Sequence, residues 1–375
     1  MNSHVNKQKN MKNRAKFFSP NYREARKKFL KTAEQNNLKI ETYTNPKTGY
    51  DGESLHTDVL WIGSRNAENI LVTTSGTHGP EGHLGSAAQI AALSEGLYAN
   101  LHSNMAVLVI HAINPWGFSW TRRCNEDGVD LFRNFIDFDM PVPENEIYDA
   151  LVKYIVPKSD SLKDKLTAEL GLAYSLLRFG KEKFRKEIPR GQYRHAYGPF
   201  FGGFEPTWSN KILRQIIREY LSNARMVMAI DYHTGIGEYG IGELVGFEHP
   251  EADEYQIAKS CWGDSYVSVY SSDTVAFEIF GILPNAYKAE LPNAQVVFGA
   301  YEFGTIDEKK VFKILRADHS IYKHEEVHAG KVIKIREQMQ HAFNCDSDIW
   351  REKVLEQTIN AEREALLYCI RQRCD

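Results

Sequence analysis

The sequence predicts an α/β domain with a mixed central β-sheet that helices flank on both faces. Apolar runs with strand character alternate with segments in which apolar residues recur at helical spacing. The strongest strand candidate, "MAVLVIHAINP", is rich in valine and isoleucine, as buried strands are. Neither an internal repeat nor a low-complexity linker interrupts the alternation. We therefore expect one domain over residues 16–375, preceded by a mobile segment at residues 1–15.

The first half of the chain contributes two helices and three strands. "SPNYREARKKFLKTAEQNN" begins with Ser-Pro and continues at helical spacing, which predicts a helix. "HTDVLWIGS" and "NILVTTSG" are predicted strands. "HLGSAAQIAALSEGLYANL" is a predicted helix whose small residues allow close packing on a sheet, and the strand "MAVLVIHAINP" ends at Asn-Pro.

The second half begins with a predicted helical insertion at residues 143–225. Its helices are "NEIYDALVKYIV", "LTAELGLAYSLLRFGKEKF" and "NKILRQIIREYLSNA". A glycine- and aromatic-rich loop at residues 191–208 separates the last two; it either covers a pocket or packs into the core. "RMVMAIDYHTGIG" and "AQVVFGAYEFGT" are further buried strands, and "IWREKVLEQTINAEREALLYCI" is a long amphipathic C-terminal helix.

Composition is that of an ordinary globular protein. The 375 residues are 42% hydrophobic and 25% charged, with a net charge of −3, which predicts neither a nucleic-acid nor a membrane partner. Five scattered cysteines form no C-x-x-C pair, which favours a reducing cytosol. The N-terminus lacks a signal-peptide core, and no run reaches the roughly 20 apolar residues of a membrane span. We therefore expect a cytoplasmic protein.

The segment "TTSGTHGPEGHLGS" places metal-binding side chains at the end of a predicted strand. His78 and Glu81 are three residues apart in a glycine-rich turn. Zinc binds histidine nitrogen and carboxylate oxygen, and a catalytic zinc keeps one position for water. His233 follows another buried strand and is the best third ligand, with Asp231 beside it to orient a ligand. Each residue alone fits an ordinary loop, but the three together favour a zinc site.

Arginines and a late glutamate are the other candidate site residues. Arg122, Arg123 and Arg133 lie in "NPWGFSWTRRCNEDGVDLFRNF". Arginine recognises carboxylates and can polarise a carbonyl, although surface ion pairs are the alternative for each of them. Glu302 follows the strand run "AQVVFGAY" as His233 follows "MVMAI". This shared placement favours a functional role over that of an ordinary strand-end acid.

These motifs, taken in order, resemble those of zinc carboxypeptidase-like hydrolases. "GTHGPEG", "NPWGFSWTRRCNEDGVDLFRNF", "DYHTG" and "YEFGT" carry the resemblance, which spans roughly residues 17–370. The branch most similar to this chain is the one called domain of unknown function 2817, to which "FFSPNYREARKKFL" and "YGPFFGGFEPTWS" are also similar. The resemblance implies the zinc carboxypeptidase fold and a zinc cofactor.

The resemblance also implies a role for each matched residue. His78, Glu81 and His233 match the zinc ligands, and Glu302 matches the general base that acts on the zinc-bound water. Arg123, or its neighbour Arg122, matches the group that stabilises the oxyanion. The last match is Arg133, at the position of the arginine that binds the substrate carboxylate.

Two residues depart from the family pattern, and the position of one family tyrosine cannot be aligned. Phe132 replaces the asparagine of the usual D-L-N-R-N-F, which removes a partner for a terminal carboxylate. His83 stands where an apolar residue is usual; it is a surface histidine, a group behind a ligand, or a competing ligand. For the substrate-capping tyrosine, Tyr287 and Tyr270 lie in the right region, and neither is preferred by its context.

The sequence therefore predicts a zinc-dependent hydrolase that cleaves an amide bond in a small peptide or N-acyl amino acid. One alternative is a deacylase similar to aspartoacylase or succinylglutamate desuccinylase. The other is a catalytically impaired protein that binds zinc or a peptide, which Phe132 favours and the retained Glu302 argues against.

Overall fold

The computed structural model describes residues 13–159, 161–271, 278–323 and 329–371. Most of the segment expected to be mobile, residues 1–12, lies outside the described residues. Arg14, near its end, forms an ion pair with Glu95 at 2.6 Å. Among the described residues, no helix is both long and apolar enough to cross a membrane.

The strands form one mixed sheet in the order β1-β2-β4-β3-β5-β8-β6-β7. The four central strands β4, β3, β5 and β8 are parallel, whereas β1–β2, β2–β4 and β6–β8 pair antiparallel. The strands are β1 (Ile40–Thr48), β2 (Ser54–Gly63), β3 (Asn69–Thr74), β4 (Met105–His111), β5 (Met226–Tyr239), β6 (Gly242–Gly246), β7 (Tyr266–Ser268) and β8 (Gln295–Gly304).

Helices cover both faces of the sheet, which confirms the predicted fold class. Val107 and Leu108 are neighbours on β4, yet each belongs to a different apolar cluster on opposite faces, as strand alternation requires. The helices are α1 (Tyr22–Gln35), α2 (Gly82–Ser94), α3 (Pro115–Trp120), α4 (Glu146–Ile155), α5 (Leu162–Phe179), α6 (Lys181–Glu187), α7 (Trp208–Leu221), α8 (Asp253–Trp262), α9 (Pro284–Glu290), α10 (Glu308–Lys323), α11 (Ala329–Phe343) and α12 (Asp348–Arg371).

The cluster on one face of the sheet takes residues from α1, α2, α8 and α12, and the cluster on the other takes residues from α7 and α9. Helices α4 and α5 instead share a third apolar cluster with α10 and α11. The division of residues 16–375 into one domain with an insertion at 143–225 stays a prediction.

The predicted strands and helices are all present, and the structure adds elements that the pattern did not predict. The edge strand β1 escaped prediction because "IETYTNPKT" is mostly polar and exposed and contains a proline. Strand β5 continues beyond His233 to Tyr239, so that His233 lies within the strand rather than after it. In the region of "LTAELGLAYSLLRFGKEKF", Gly180 separates two helices, α5 and α6.

Candidate metal centre

A tight turn after β3 brings His78 and Glu81 to the edge of the sheet. The chain leaves β3 at Thr74 and enters a short 3₁₀ turn at Gly79–Glu81, from which α2 continues. A Cβ on Gly79 would lie 2.0 Å from the Gly117 carbonyl, so glycine lets this turn pack against α3. His78 and Glu81 are both almost completely buried.

The parallel register of the central strands places the remaining groups. Thr74 at the end of β3 pairs with Asp231 on β5, and His233 pairs with Glu302 on β8. These carboxyl-terminal parts of parallel strands lie at one edge of the sheet, where ligands bind in open α/β sheets. Residues far apart in sequence therefore meet beside the His78 turn.

Three acceptor atoms converge on one point in this site. Glu81 Oε2 lies 3.1 Å from His78 Nδ1 and 2.8 Å from His233 Nδ1, and the two nitrogens are 3.2 Å apart. This trio is the one group of histidine, cysteine or acidic residues within the described ranges that could hold a metal ion.

The far side of each histidine faces a carboxylate. His78 Nε2 donates to Asp130 Oδ1 at 3.0 Å, and His233 Nε2 donates to Asp231 Oδ2 at 2.8 Å. A proton on Nε2 leaves the Nδ1 lone pair of each neutral ring pointing at Glu81. Three lone pairs that face one another require a positive charge between them, which a metal ion or a proton supplies.

Electrostatics in the described structure favour positive charge between these three residues. Burial opposes ionisation of Glu81, but His78 and His233 lower the pKa of its carboxyl. Burial also opposes protonation of His233, but Asp231 and Glu81 raise its pKa well above the ordinary value. The point between the three residues is therefore strongly attractive to a cation.

Asp130 is a site residue that sequence reasoning missed. Besides His78, its carboxylate accepts hydrogen bonds from Arg123 Nε at 3.1 Å and Arg133 Nη1 at 2.7 Å. Burial opposes its ionisation, but the two arginines and His78 hold the pKa of Asp130 well below its usual range. Its place three residues before Arg133 in "GVDLFRNF" was the available signal.

The neighbours Arg122 and Arg123 point to different parts of the molecule. Arg123 Nη1 donates to Glu81 Oε1 at 3.0 Å, which places its guanidinium beside the three converging acceptor atoms. Arg122 Nε instead donates to Asp318 Oδ2 at 3.0 Å on α10, and its guanidinium lies 3.4 Å from the centre of the Tyr322 ring. The structure thus brings Arg123, and not Arg122, to the histidines.

Arg133 lies behind the site and is hydrogen-bonded to the segment after α6. Its Nη1 binds Asp130, while Nε donates to the Pro189 carbonyl at 3.0 Å and Nη2 to the same oxygen. Phe200 covers it: the ring centroid lies 4.8 Å from the Arg133 guanidinium and 5.8 Å from that of Arg123. The aromatic loop at residues 191–208 therefore packs over the site arginines.

Glu302 has an enclosed carboxyl oxygen with no hydrogen-bond partner among the described residues. That atom is Oε2, and the residue pairs with His233 across the β5–β8 ladder. Burial raises the pKa of Glu302 to about 8; Glu81 adds to this shift, and His233 and Arg123 oppose it. A buried carboxyl oxygen without a partner is costly, so this atom is positioned to hydrogen-bond a molecule that enters the site.

Phe132 forms an apolar wall beside His233. Its ring lies edge-to-face to the imidazole with centroids 5.4 Å apart, and Phe247 and Phe298 pack at 5.6 and 6.4 Å. Tyr287 is fully buried in the same apolar cluster. Phe132 thus borders the site on one side and the core on the other.

The remaining two candidates lie apart from the three converging acceptor atoms. His83 is buried, with Nδ1 2.9 Å from the Ser19 carbonyl and its ring edge-on to Phe118. It is therefore neither a surface histidine nor part of the ligand group. Tyr270 is exposed and stacks on His249 with ring centroids 3.7 Å apart.

Comparison with known proteins finds a matching family and solved structures with a similar fold. The model of the family described as "Protein of unknown function (DUF2817)" matches residues 18–357. No curated protein matches the chain. The structure of bovine thrombin-activatable fibrinolysis inhibitor in complex with tick carboxypeptidase inhibitor aligns with a TM-score of 0.51 at 10% identity, covering 95% of this chain and 98% of that chain. At that identity the likeness concerns the fold.

Two further solved structures are similar at lower scores. Carboxypeptidase A from Helicoverpa armigera aligns with a TM-score of 0.41 at 13% identity, covering 87% of this chain and 74% of that chain. An aspartoacylase family protein from Mesorhizobium loti aligns with a TM-score of 0.38 at 13% identity, covering 71% and 61%.

Proposed function

We propose that this chain, which belongs to the DUF2817 family, is a zinc-dependent hydrolase that cleaves an amide bond in a small peptide or N-acyl amino acid. One observation carries the proposal: three acceptor atoms of His78, Glu81 and His233 converge on one point, beside the unpartnered carboxyl oxygen of Glu302. The converging atoms would bind a cation, and the free oxygen of Glu302 would activate a water molecule beside it.

The donor set suits zinc. Two imidazole nitrogens and one carboxylate oxygen are a known ligand set for catalytic zinc. Each histidine is held by a carboxylate on its other nitrogen, the arrangement that fixes the tautomer and orients the ring. Bound zinc would lower the pKa of a water molecule toward about 7 and polarise the substrate carbonyl.

The protein's own groups supply the proton transfer and the charge stabilisation. The free Oε2 of Glu302 would accept a proton from the attacking water and pass it to the leaving amine. Arg123 would face the developing oxyanion, because its Nη2 forms no hydrogen bond within the described ranges while Nη1 and Nε are held by Glu81 and Asp130. The two anchored donors keep the guanidinium in place for that role.

Arg133 and Phe132 would shape the substrate side of the site. Arg133 remains the group proposed for a substrate carboxylate because of its place in the family motif; it would have to exchange the Pro189 carbonyl for that carboxylate. The Phe132 ring offers an apolar surface beside His233, which favours an uncharged or aromatic substrate group. Tyr287 is enclosed in the core next to this wall and would support it rather than touch substrate.

Metal analysis together with a substrate screen tests the proposal. Protein purified without added zinc should contain close to one divalent metal ion per chain or take up one equivalent of zinc. The screen should include N-acyl aromatic amino acids, dipeptides, N-acetylaspartate and N-succinylglutamate, since the last two report the deacylase alternative. Absence of any bound metal together with failure to take up zinc would overturn the proposal; metal without hydrolysis would favour the binding-protein alternative.

Replacement of Asp130 by asparagine should weaken zinc binding by about 10–100-fold, the usual effect of losing a hydrogen-bond partner of a metal-binding histidine. The Asp130 carboxylate fixes the His78 ring, and an amide can present the wrong group to Nε2. Competition with a chromophoric chelator measures the affinity. Asp318→Asn is the matched control, because that buried acid pairs with Arg122 away from the ligands; equal zinc affinities for both variants would contradict the assignment.

Replacement of Phe132 by asparagine should raise kcat/KM about tenfold or more on substrates with a free C-terminal carboxylate. Asparagine adds a hydrogen bond to a charged group, worth roughly 1.5–3 kcal/mol, and 1.4 kcal/mol is already tenfold. The wild-type protein should show weak or no activity on such substrates. The comparison uses paired free-acid and amidated substrates.

Phe132→Leu is the control for this change, because it keeps an apolar side chain and adds no donor. Both variants lose aromatic packing against Phe247 and Phe298, so kinetics are compared on the folded fraction. An unchanged ratio between the paired substrates in Phe132→Asn would show that residue 132 does not set specificity.

A further inference from the structure

Helix α5 exposes a continuous apolar stripe to solvent. We call Leu162, Leu166, Leu170, Tyr174 and Leu177 the α5 stripe. Leu162 and Leu177 are each 86% exposed, and the other three are 61–62% exposed. At about 100° per residue these five side chains fall within about 120° of the helix circumference, along roughly 23 Å of helix. Exposed apolar surface arranged this way marks an interaction site rather than scattered surface residues.

The opposite side of α5 already fixes the helix to the protein. Ala168, Leu172 and Ser175 are its buried residues, and Leu172 belongs to the apolar cluster that α4 shares with α10 and α11. Gly171 permits close packing on α4, because a Cβ there would lie 2.3 Å from the Tyr154 ring. The α5 stripe therefore contributes nothing to holding the helix in place, and its apolar character needs another explanation.

Basic side chains surround the α5 stripe. Lys163 follows Leu162 at one end, and Arg178, Lys181 and Lys183 follow Leu177 at the other; all four are exposed. Lys163, Lys181 and Lys183 form no ion pair with any described residue, whereas Lys186 is paired with Glu182 at 3.1 Å. Residues 161–190 contain eight basic and four acidic residues, although the whole chain has a net charge of −3.

We propose that the α5 stripe and its basic margin form a docking surface for an anionic lipid bilayer. An amphipathic helix lies in a membrane interface when an apolar face enters the headgroup boundary and lysine or arginine side chains meet anionic lipids. Leucines and a tyrosine supply the apolar face here, and the unpaired lysines supply the charge complementarity. The expectation of no membrane partner rested on net charge, which averages this basic region with the acidic remainder.

A second copy of the chain fits the same surface less well. Antiparallel pairing of two α5 stripes would set Lys163 of one copy near Arg178 of the other, and parallel pairing would set Lys163 against Lys163. Glu169 is the one exposed acid on α5, and Arg316 already binds it at 2.8 Å. Like charges at the margin oppose self-association, whereas an anionic surface satisfies them.

Co-sedimentation with vesicles tests the proposal. The wild-type protein should bind vesicles of phosphatidylcholine mixed with phosphatidylglycerol and not vesicles of phosphatidylcholine alone, and binding should fall as salt rises. Leu166→Glu combined with Leu170→Glu should reduce binding at least tenfold, and so should Lys163→Glu combined with Lys183→Glu. Ile349→Glu, at another exposed apolar residue on α12, is the matched control and should bind as wild type does.

Circular dichroism and zinc content confirm that each variant is folded. Failure of the wild-type protein to bind the anionic vesicles would overturn the proposal, as would binding that is unchanged in both double variants. Sedimentation velocity tests whether a second copy of the chain occupies the α5 stripe instead. If the wild-type protein is a dimer that Leu166→Glu dissociates, and it does not bind vesicles, the α5 stripe serves self-association.

Discussion

Replacement of Glu302 by glutamine should reduce hydrolysis by a factor of about 10²–10⁴, the usual contribution of a general acid–base group, while zinc content stays at the wild-type level. Glutamine keeps the size of the side chain but cannot accept and pass on a proton. Glu302 lies opposite His233 across the strand pair and is not one of the three converging acceptors. Turnover should therefore fall without loss of metal.

The measurement is kcat and metal content on the same preparation, with the best substrate from the screen. Glu362→Gln serves as the control, because Glu362 is also a buried carboxyl but accepts hydrogen bonds from Tyr98 and Tyr232 in the core. It should keep most of the activity of its folded fraction. Near-normal turnover in Glu302→Gln would remove Glu302 from the mechanism.

Replacement of His233 by alanine should remove most of the bound zinc. Two remaining ligands rarely hold zinc tightly, so the loss of affinity should exceed the roughly 10–100-fold that accompanies loss of a hydrogen-bond partner behind a ligand. Elemental analysis after dialysis against a weak chelator measures it. His78→Ala should behave in the same way, because its Nδ1 faces the same point.

His83→Ala is the matched control for both histidine variants. His83 is as buried as His78, and its Nδ1 faces the Ser19 carbonyl rather than the other ligands. It should keep its zinc even if it loses stability. Full zinc in His233→Ala together with zinc loss in His83→Ala would show that the ligand assignment is wrong.

Local sequence patterns were sufficient to predict the fold class. The strand runs "NILVTT", "MAVLVIH" and "AQVVFGAY" are long apolar segments, and such segments have few stable arrangements other than buried parallel strands. The outer strand β1 was missed because most of its side chains are exposed, so its sequence carries little apolar signal.

The positions of His78 and His233 could be anticipated because one lies just after a buried strand and the other lies in the carboxyl-terminal part of another. Parallel strands end at a common edge of the sheet, so residues 155 positions apart come together once the strand order is right. The roles assigned to these residues remain predictions that the zinc measurements test.

The sequence by itself determined the buried central strands, most of the helices around them and the sheet edge at which polar groups collect, because these depend on local periodicity. Only the tertiary structure decided which polar groups touch. After α3, Thr121 takes a left-handed conformation, and Arg122 and Arg123 then separate: one reaches Asp318, 196 residues away, and the other reaches Glu81. Similarly, the spacing of apolar residues predicts a helix in the α5 region, but only the tertiary structure shows that the leucines of the α5 stripe face solvent. Contacts between distant segments depend on how those segments pack together, and local periodicity does not specify which side chains then meet.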